Sequence, residues 1–424
     1  MAIILAALSR HETGFSAFVD DVLRLSHRWP TTETYADNTR VSLSELAGTR
    51  GQICLVVNHA GSSVVVEQGE ELVVFLSPSR LLGREEIEES PFASIIHVSR
   101  DRVLIRQGPT GSPPLAYKLS KDCVVVSSLP RLVNNEFGEA TYSPPKSDVR
   151  LTPGAVEVSH KGAQNQELPT EHQALDSEAQ LLLEALTDSI KKSVAKRPSI
   201  LFSGGLDSSL LLWLCMDMGL RPLALSVGMK GSHDLTTSKR AASVIGADYL
   251  PIELTEESLR TSISHLMKNL ELPSKMDKAL AVLVYEGSKC SAENGRRQLI
   301  SGQGADELFG GYIKYLRLVD RGEAIKAESE MRRDAESLWY RSIPRDYGSA
   351  CLAGCLLTTP YLDERIVKNA YKMPLQFKVS RGVRKVVLRM VAKLAGLHED
   401  VAMIEKKAAQ YGTGIERALK RLSV

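Results

Sequence analysis

Sixteen residues, 199-SILFSGGLDSSLLLWL-214, decide how this chain is read. An apolar run ends at Ser203, two glycines follow, and Asp207, Ser208 and Ser209 open a second apolar run. That order predicts a strand, a tight turn and a helix. Glycines let backbone N–H groups approach an anion closely, and a helix N-terminus offers unpaired donors at the positive end of its dipole. Ser203, Gly204, Gly205, Asp207, Ser208 and Ser209 are therefore candidate phosphate ligands, with Asp207 placed to hold a magnesium ion as well. The same residues also fit a purely structural turn in which Asp207 or Ser208 caps the helix. No G-K-[ST] follows the glycines, so this is not a Walker A loop.

Downstream, strand-like and helical stretches alternate. LALSVG, YLPIEL and RQLIS read as strands, separated by helices through SLLLWLCMDM, SKRAASVIG, SLRTSISHLM and KALAVLVYEGSKCSAEN. Such alternation argues for a parallel sheet with covering helices. After Gly311 the pattern is almost wholly helical. Just upstream, Leu182, Leu186, Ile190 and Val194 recur every four residues, predicting an amphipathic helix capped by Asp176 or Ser177.

From Ala2 to about Val133 the texture differs. Short β-branched runs such as GQICLVVNHA, SSVVVEQGEELVVFLS and DCVVVSS alternate with turn residues, which describes a mostly antiparallel sheet domain. The polar tract from Asn134 to Ala174 reads as strand remnants ending in a linker. With 424 residues, two domains are the natural expectation. A composition 43% hydrophobic and 25% charged excludes disorder or fibre for the bulk.

The net charge of +2 hides an asymmetry. Arg365 to Val424 holds 14 Lys and Arg against 4 Asp and Glu, which leaves 39 basic and 47 acidic residues upstream. A basic block on an acidic body invites a polyanion: nucleic acid, a membrane surface or a phosphate-rich cofactor. Six scattered cysteines lack zinc spacing, and His59, His97, His233, His265 and His398 show no pairing at ligand spacing. No apolar stretch approaches the roughly 20 residues of a bilayer span, so a reduced cytoplasmic protein is expected. The stretch 384-RKVVLRMVAKLAGL-397 places Val386, Val387, Met390, Val391 and Leu394 on one side, as a packed helix with a solvated basic face would.

SGGLDSS resembles the signature loop of the N-type ATP pyrophosphatases, which cleave ATP to AMP and pyrophosphate. About 100 residues on, RQLISGQGADELFGGY (Arg297 to Tyr312) resembles the SGEGADELFGGY block of the asparagine synthetases. LSVGMKGSHDLTTSKRAASVIGADY is similar to that family's adenine and ribose segment, TTPYLDERIVKNAYKMP to its R-x-P-F-L-D region, and EKKAAQYGTG to the loop carrying its catalytic lysine. SRDRVLIRQGPTGSPPLAYKLSKDCVVVSSLPRLV weakly resembles part of the family's glutaminase-type domain.

The resemblance implies an α/β two-domain chain. Residues 1–165 would form a β-rich, Ntn-hydrolase-like (αββα) domain of degenerate class II glutaminase type. Residues 175–424 would form a parallel-sheet ATP pyrophosphatase domain (adenine nucleotide α-hydrolase-like) with a helical extension. It further implies that a carboxylate attacks the α-phosphate of ATP, and that ammonia then displaces AMP from the acyl-adenylate to form an amide. Leu201, Val227, Ser301 and Gly302 would hold the nucleoside, Asp207 and Asp306 would serve magnesium, and Lys407, with Lys406 as the alternative, would stabilise developing charge. The partners implied are ATP with Mg2+, a small carboxylate (aspartate by default) and ammonia or another amine. A homodimer is one assembly to test, whereas neither membrane nor nucleic acid is expected.

Three departures bear on activity. The sequence opens Met-Ala with no thiol nearby, and Cys54 would need internal cleavage to serve as an N-terminal nucleophile, so no glutamine hydrolysis is expected. Gln303 stands where the family carries Glu, and a glutamine donates hydrogen bonds but cannot remove a proton from ammonia. Leu356 and Thr358 replace a charged pair ahead of the P-Y-L-D motif, and Glu405 stands where a basic residue is common. A non-catalytic ATP-binding relative is therefore the second expectation, and a tRNA-adenylating enzyme, suggested by the basic block, is the third.

Overall fold

The computed structural model describes residues 171–403 and 412–422, together with twelve strands between Ile4 and His160 and the adjoining residues 102 and 115. The described residues up to His160 group into one compact unit with 269–271 and 351–356, and the rest of the described chain forms a second.

In the first unit the strands are β1 (Ile4–Ser9), β2 (Thr39–Glu45), β3 (Gln52–Asn58), β4 (Ser63–Gln68), β5 (Glu71–Leu76), β6 (Ser94–Val98), β7 (Val103–Arg106), β8 (Ala116–Leu119), β9 (Cys123–Ser127), β10 (Thr141–Tyr142), β11 (Ser147–Thr152) and β12 (Ala155–His160). They form two six-stranded sheets, ordered β10-β8-β9-β1-β3-β2 and β12-β11-β7-β6-β5-β4, with antiparallel pairings. Ile96 stands opposite Ile105, and Ile105 opposite Val149, so three fully buried residues line one face of three adjacent strands. The tract expected to be strand remnants contributes the β11–β12 hairpin, whose alternation of Val149 and Leu151 facing Val158 and Val156 is too short to stand out among polar neighbours. Cys54 lies mid-strand in β3, opposite Ala7 on one side and Leu43 on the other.

The second unit begins with α1 (Glu171–Ser193), followed by β13 (Ser199–Leu201), α2 (Leu206–Asp217), β14 (Leu223–Met229), α3 (His233–Ile245), β15 (Tyr249–Leu254), α4 (Glu256–Asn269), α5 (Lys275–Glu293) and β16 (Gln298–Ile300). Helix α1 starts five residues before the cap expected at Asp176 or Ser177, because Pro169 is the last helix breaker and the residues from Glu171 on are acceptable helix formers. Its Leu182, Leu186 and Ile190 are buried as the four-residue repeat requires. Strands β14 and β16 are buried almost throughout, as befits a parallel sheet covered on both faces.

The strand order β15-β14-β13-β16-β17 puts β13 at the centre, with parallel pairings to β14 and β16. The chain steps outward from β13 through β14 to β15 and then returns to β13's other side. In open α/β sheets, ligands bind at such a switch point, beyond the carboxyl ends of the strands.

Beyond β16 the chain runs through α6 (Ala305–Phe309), α7 (Ile313–Asp320), α8 (Ala324–Ser337), a π-helical turn (Leu338–Ser342), α9 (Ile343–Leu352), β17 (Leu356–Thr358), α10 (Glu364–Lys372), α11 (Leu375–Lys378), the small hairpin β18 (Val379–Ser380) and β19 (Val383–Arg384), α12 (Val386–Leu394), α13 (Glu399–Ala402) and α14 (Ile415–Arg421). The tail is almost wholly helical as expected, and its exceptions are the small β18–β19 hairpin and β17, a buried three-residue strand that completes the sheet. Helix α12 packs on α1 and α2 with Val387, Leu388, Val391 and Ala392 buried, whereas Leu394, expected on the packed side, is exposed. Among the described residues no helix is long and apolar enough to cross a membrane.

Candidate active site

The turn after β13 is shaped by Gly204. Its φ is +70°, and a Cβ there would stand 2.8 Å from the Ser238 Cα, so α3 approaches too closely for any side chain. Gly205 is the N-cap residue of α2 in extended conformation, which points the helix N-terminus at the switch point. Ser208 Oγ lies 3.1 Å from Ser203 Oγ and donates to the Gly205 carbonyl at 3.2 Å, closing the loop on itself. Tyr361, fully buried, donates to the Asp207 carbonyl at 3.1 Å and fixes the first turn of α2.

A cleft of about 210 Å³ opens here. Among the residues expected from sequence, Leu201, Ser203, Asp207, Ser208, Val227, Ser301, Gly302, Gln303 and Asp306 all line it. Gly204, Gly205 and Ser209 do not; Ser209 is fully buried behind the loop, with its hydroxyl unpaired. Lys406 and Lys407 lie outside the described residues. The described end of their loop is anchored beside the cleft, where the Met229 N–H donates to the Thr413 carbonyl at 2.9 Å and Thr413 joins the lining.

The cation that the structure does place at the 203–208 loop is Lys385. It sits at the N-cap of α12 with φ +58°, a left-handed conformation rare outside glycine. Its Nζ donates to Asp207 Oδ1 and Oδ2 at 2.8 and 2.6 Å and pairs with Asp306 Oδ1 at 2.5 Å. Burial alone would depress this ammonium, but Asp207 and Asp306 outweigh it and hold it above the ordinary lysine value. Gly311 makes the approach feasible, since any Cβ there would overlap both Asp306 Oδ1 and Lys385 Cε. Nothing in the sequence marks Lys385, one of 14 cations in the basic block.

Asp207 and Asp306 thus converge on one point of positive charge. That donor set fits Mg2+, which takes one or two carboxylates when phosphate oxygens and water supply its other ligands. Among the described residues no cluster of three or more His, Cys, Asp or Glu could hold a metal alone.

The far wall was largely invisible in the sequence. Gln303 Nε2 donates to Asp346 Oδ2 at 2.9 Å, Arg345 donates to the same carboxylate at 2.7 and 3.0 Å, and Arg345 Nη1 reaches Asp277 Oδ1 at 2.9 Å. A carboxylate accepts but cannot donate, so the Gln303 amide has one workable orientation, which leaves Oε1 buried and unpartnered. Glu307, also in the lining, accepts from Tyr312 Oη at 2.5 Å, and burial together with Asp306 pushes its carboxyl up to about 7. Thr358, one of the residues that depart from the charged-pair motif, is buried in β17 and accepts from Gln298 Nε2 at 2.7 Å, away from the cleft.

A glycine turn feeding a helix N-terminus at the switch point of a parallel sheet, faced by two carboxylates and a lysine, defines a nucleotide-type cleft of the α/β class. The asparagine synthase family model matches residues 181–347 and 327–423, more than half the sequence, and the chain belongs to that family. It is 29% identical over 279 residues to the provisionally named asparagine synthetase [glutamine-hydrolyzing] 1 of Methanocaldococcus jannaschii, covering 57% of this chain and 51% of that protein. It is 30% identical over 212 residues to asparagine synthetase [glutamine-hydrolyzing] of Rattus norvegicus, covering 48% and 37%. An asparagine synthetase domain-containing protein of Drosophila melanogaster is 28% identical over 188 residues, covering 42% and 32%. The chain therefore spans about half or less of these relatives' lengths. Similar solved structures include an NH3-dependent NAD synthetase from Campylobacter jejuni (TM-score 0.28, 16% identity, 59% of this chain and 83% of that one) and an NMN synthetase from Francisella tularensis (TM-score 0.24, 13%, 55% and 98%).

Proposed function

We propose that the second unit is an ATP-dependent, AMP- and pyrophosphate-forming amide ligase. A substrate carboxylate oxygen attacks the α-phosphorus of ATP, the α–β bridging oxygen leaves with pyrophosphate, and ammonia or another amine then displaces AMP from the acyl-adenylate. The observation that carries this proposal is the convergence of the 203–208 loop, Asp207, Asp306 and Lys385 at the switch point.

Ser203, Ser208 and the α2 N-terminus bind the pyrophosphate portion, and Lys385 counters its charge when the ligand competes for the ammonium. Leu201 and Val227 give an apolar wall for the base, and Ser301 and Gly302 border the ribose. Mg2+ held by Asp207 and Asp306 would neutralise the phosphate oxygens. Lys407, carried on the loop anchored at Thr413, stabilises charge at the reacting centre. Gln303 Oε1 accepts from an N–H of the incoming amine, positioning it without acting as base. Residues 1–165 are assigned as a degenerate glutaminase-like, Ntn-type domain and 175–424 as the ligase domain, with free ammonia or an amine in place of glutamine; the two antiparallel sheets and mid-strand Cys54 support this assignment.

Incubation with ATP, magnesium, ammonia and a panel of carboxylates led by aspartate tests the proposal. AMP and pyrophosphate should appear in equal amounts and only with a suitable acid. Unchanged ATP with every acid overturns it. A second function, ATP binding without turnover, is favoured by Gln303, whose amide is locked to Asp346 where a base would stand; ATP affinity without product is its signature.

A further inference from the structure

A second cavity, of about 390 Å³, lies among α6, α8, α10 and α11. Its apolar lining is Leu308, Met331 and Met373, each at least 97% buried, together with Tyr371, Pro374 and the exposed Ile325. Into this surface the chain sets a lysine. Lys378 is 7% exposed and, among the described residues, has neither a hydrogen bond nor an ion pair. An ammonium held this close to apolar surface without a counter-charge loses part of its hydration, and proteins that keep such a group generally pair it. Glu328, exposed at the rim, attracts it without coming within ion-pair distance. Two further cations face the same cavity: Lys372, and Arg332, whose guanidinium is held 5.0 Å over the Tyr371 ring.

We propose that this cavity is a second ligand site, which takes a small organic monocarboxylate whose acid group pairs with Lys378 and whose apolar body lies on Met331 and Met373. Lys378 set beside Met331 and Met373 suits one carboxylate with a hydrocarbon tail, with the exposed Arg332 and Lys372 as further cations on the same wall. Phosphate would leave the apolar lining uncovered, and Glu328 opposes its second charge. The ordinary lysine value is lowered to about 8 by burial, which agrees with an ammonium awaiting a partner. Glu307 lines both cavities, so an occupant here would lie next to the wall of the ATP cleft. The inference does not rest on the proposed ligase chemistry, and a protein without turnover would leave it standing.

The test is calorimetric titration of the full chain with 4-methylpentanoate, and with inorganic phosphate for comparison. Saturable binding of the carboxylate at millimolar concentrations is expected, weakened by roughly tenfold to a hundredfold in Lys378→Met, the loss expected for a charge-assisted hydrogen bond. Two exposed positions keep the test valid should that variant fail to fold: Arg332→Gln should weaken binding and Glu328→Gln should tighten it. Absence of saturable binding, equal affinity for Lys378→Met, tighter binding of phosphate, or competitive displacement by ATP, which would place the ligand in the first cleft, each overturns the proposal.

Discussion

Lys385 Nζ stands 2.6 Å from Asp207 Oδ2, so the cap of one helix is tied to the first turn of another across 178 residues of sequence. Both side chains are mostly buried, at 13% and 14% exposed. Removing one partner of a buried pair strands the other charge, here with Asp306 beside it, so Lys385→Met should destabilise the second unit by about 3 kcal/mol. Denaturant unfolding of Lys385→Met, Asp207→Asn and the double variant checks this. The double variant should lose clearly less than the sum of the singles, whereas additivity would mean the pair is not coupled.

Glu307 gives a pH dependence of definite sign. Its carboxyl is pushed up to about 7, so the folded state binds its proton more tightly than the unfolded chain. That contribution is full below the ordinary glutamate value of 4.5 and is lost as pH rises through about 7, amounting to about 3 kcal/mol. The melting temperature of Glu307→Gln should therefore vary less between pH 5 and about 8 than that of the unaltered protein. Identical slopes would contradict the assignment.

Gly204 and Gly219 share a positive φ of about 70° but differ in surroundings. A Cβ at Gly219 meets nothing within 4 Å, whereas one at Gly204 meets the α3 backbone. Gly219→Ala should cost about 1 kcal/mol, the ordinary left-handed penalty, and Gly204→Ala distinctly more, with loss of ATP affinity as the loop is pushed off α3. Equal costs would show that α3 yields freely.

Replacing Gln303 separates positioning from structure. On the proposed function, Gln303→Leu removes the acceptor assigned to the amine, so the KM for ammonia should rise roughly tenfold with ATP affinity unchanged. Gln303→Glu would set a second carboxylate against Asp346, which burial already holds above its usual range, and should lower stability as pH rises.

The second unit was legible because its signals are local. Strand, glycines and helix fall within sixteen residues around Gly204, and the Leu182, Leu186, Ile190 repeat fixes a buried face. The cleft was half legible. Leu201, Val227, Ser301 and Asp306 belong to contiguous motifs, but Lys385 and Asp346 arrive from 178 and 43 residues away in sequence from the groups they touch, and nothing in either neighbourhood sets them apart. The strand β17 escaped because three residues are too few for a period, and the start of α1 because, although Thr170 and Gln173 have capping-box spacing, the residues from Glu171 to Asp176 hold too few apolar side chains to show the repeat.

Carboxylate-dependent exchange of labelled pyrophosphate into ATP probes the central proposal most directly, since it requires only the reversible formation of an acyl-adenylate at the Asp207, Asp306 and Lys385 cleft. Label should enter ATP in the presence of the right acid without any amine, and should not in Asp207→Ala. ATP binding of ordinary strength with no exchange for any acid would contradict it.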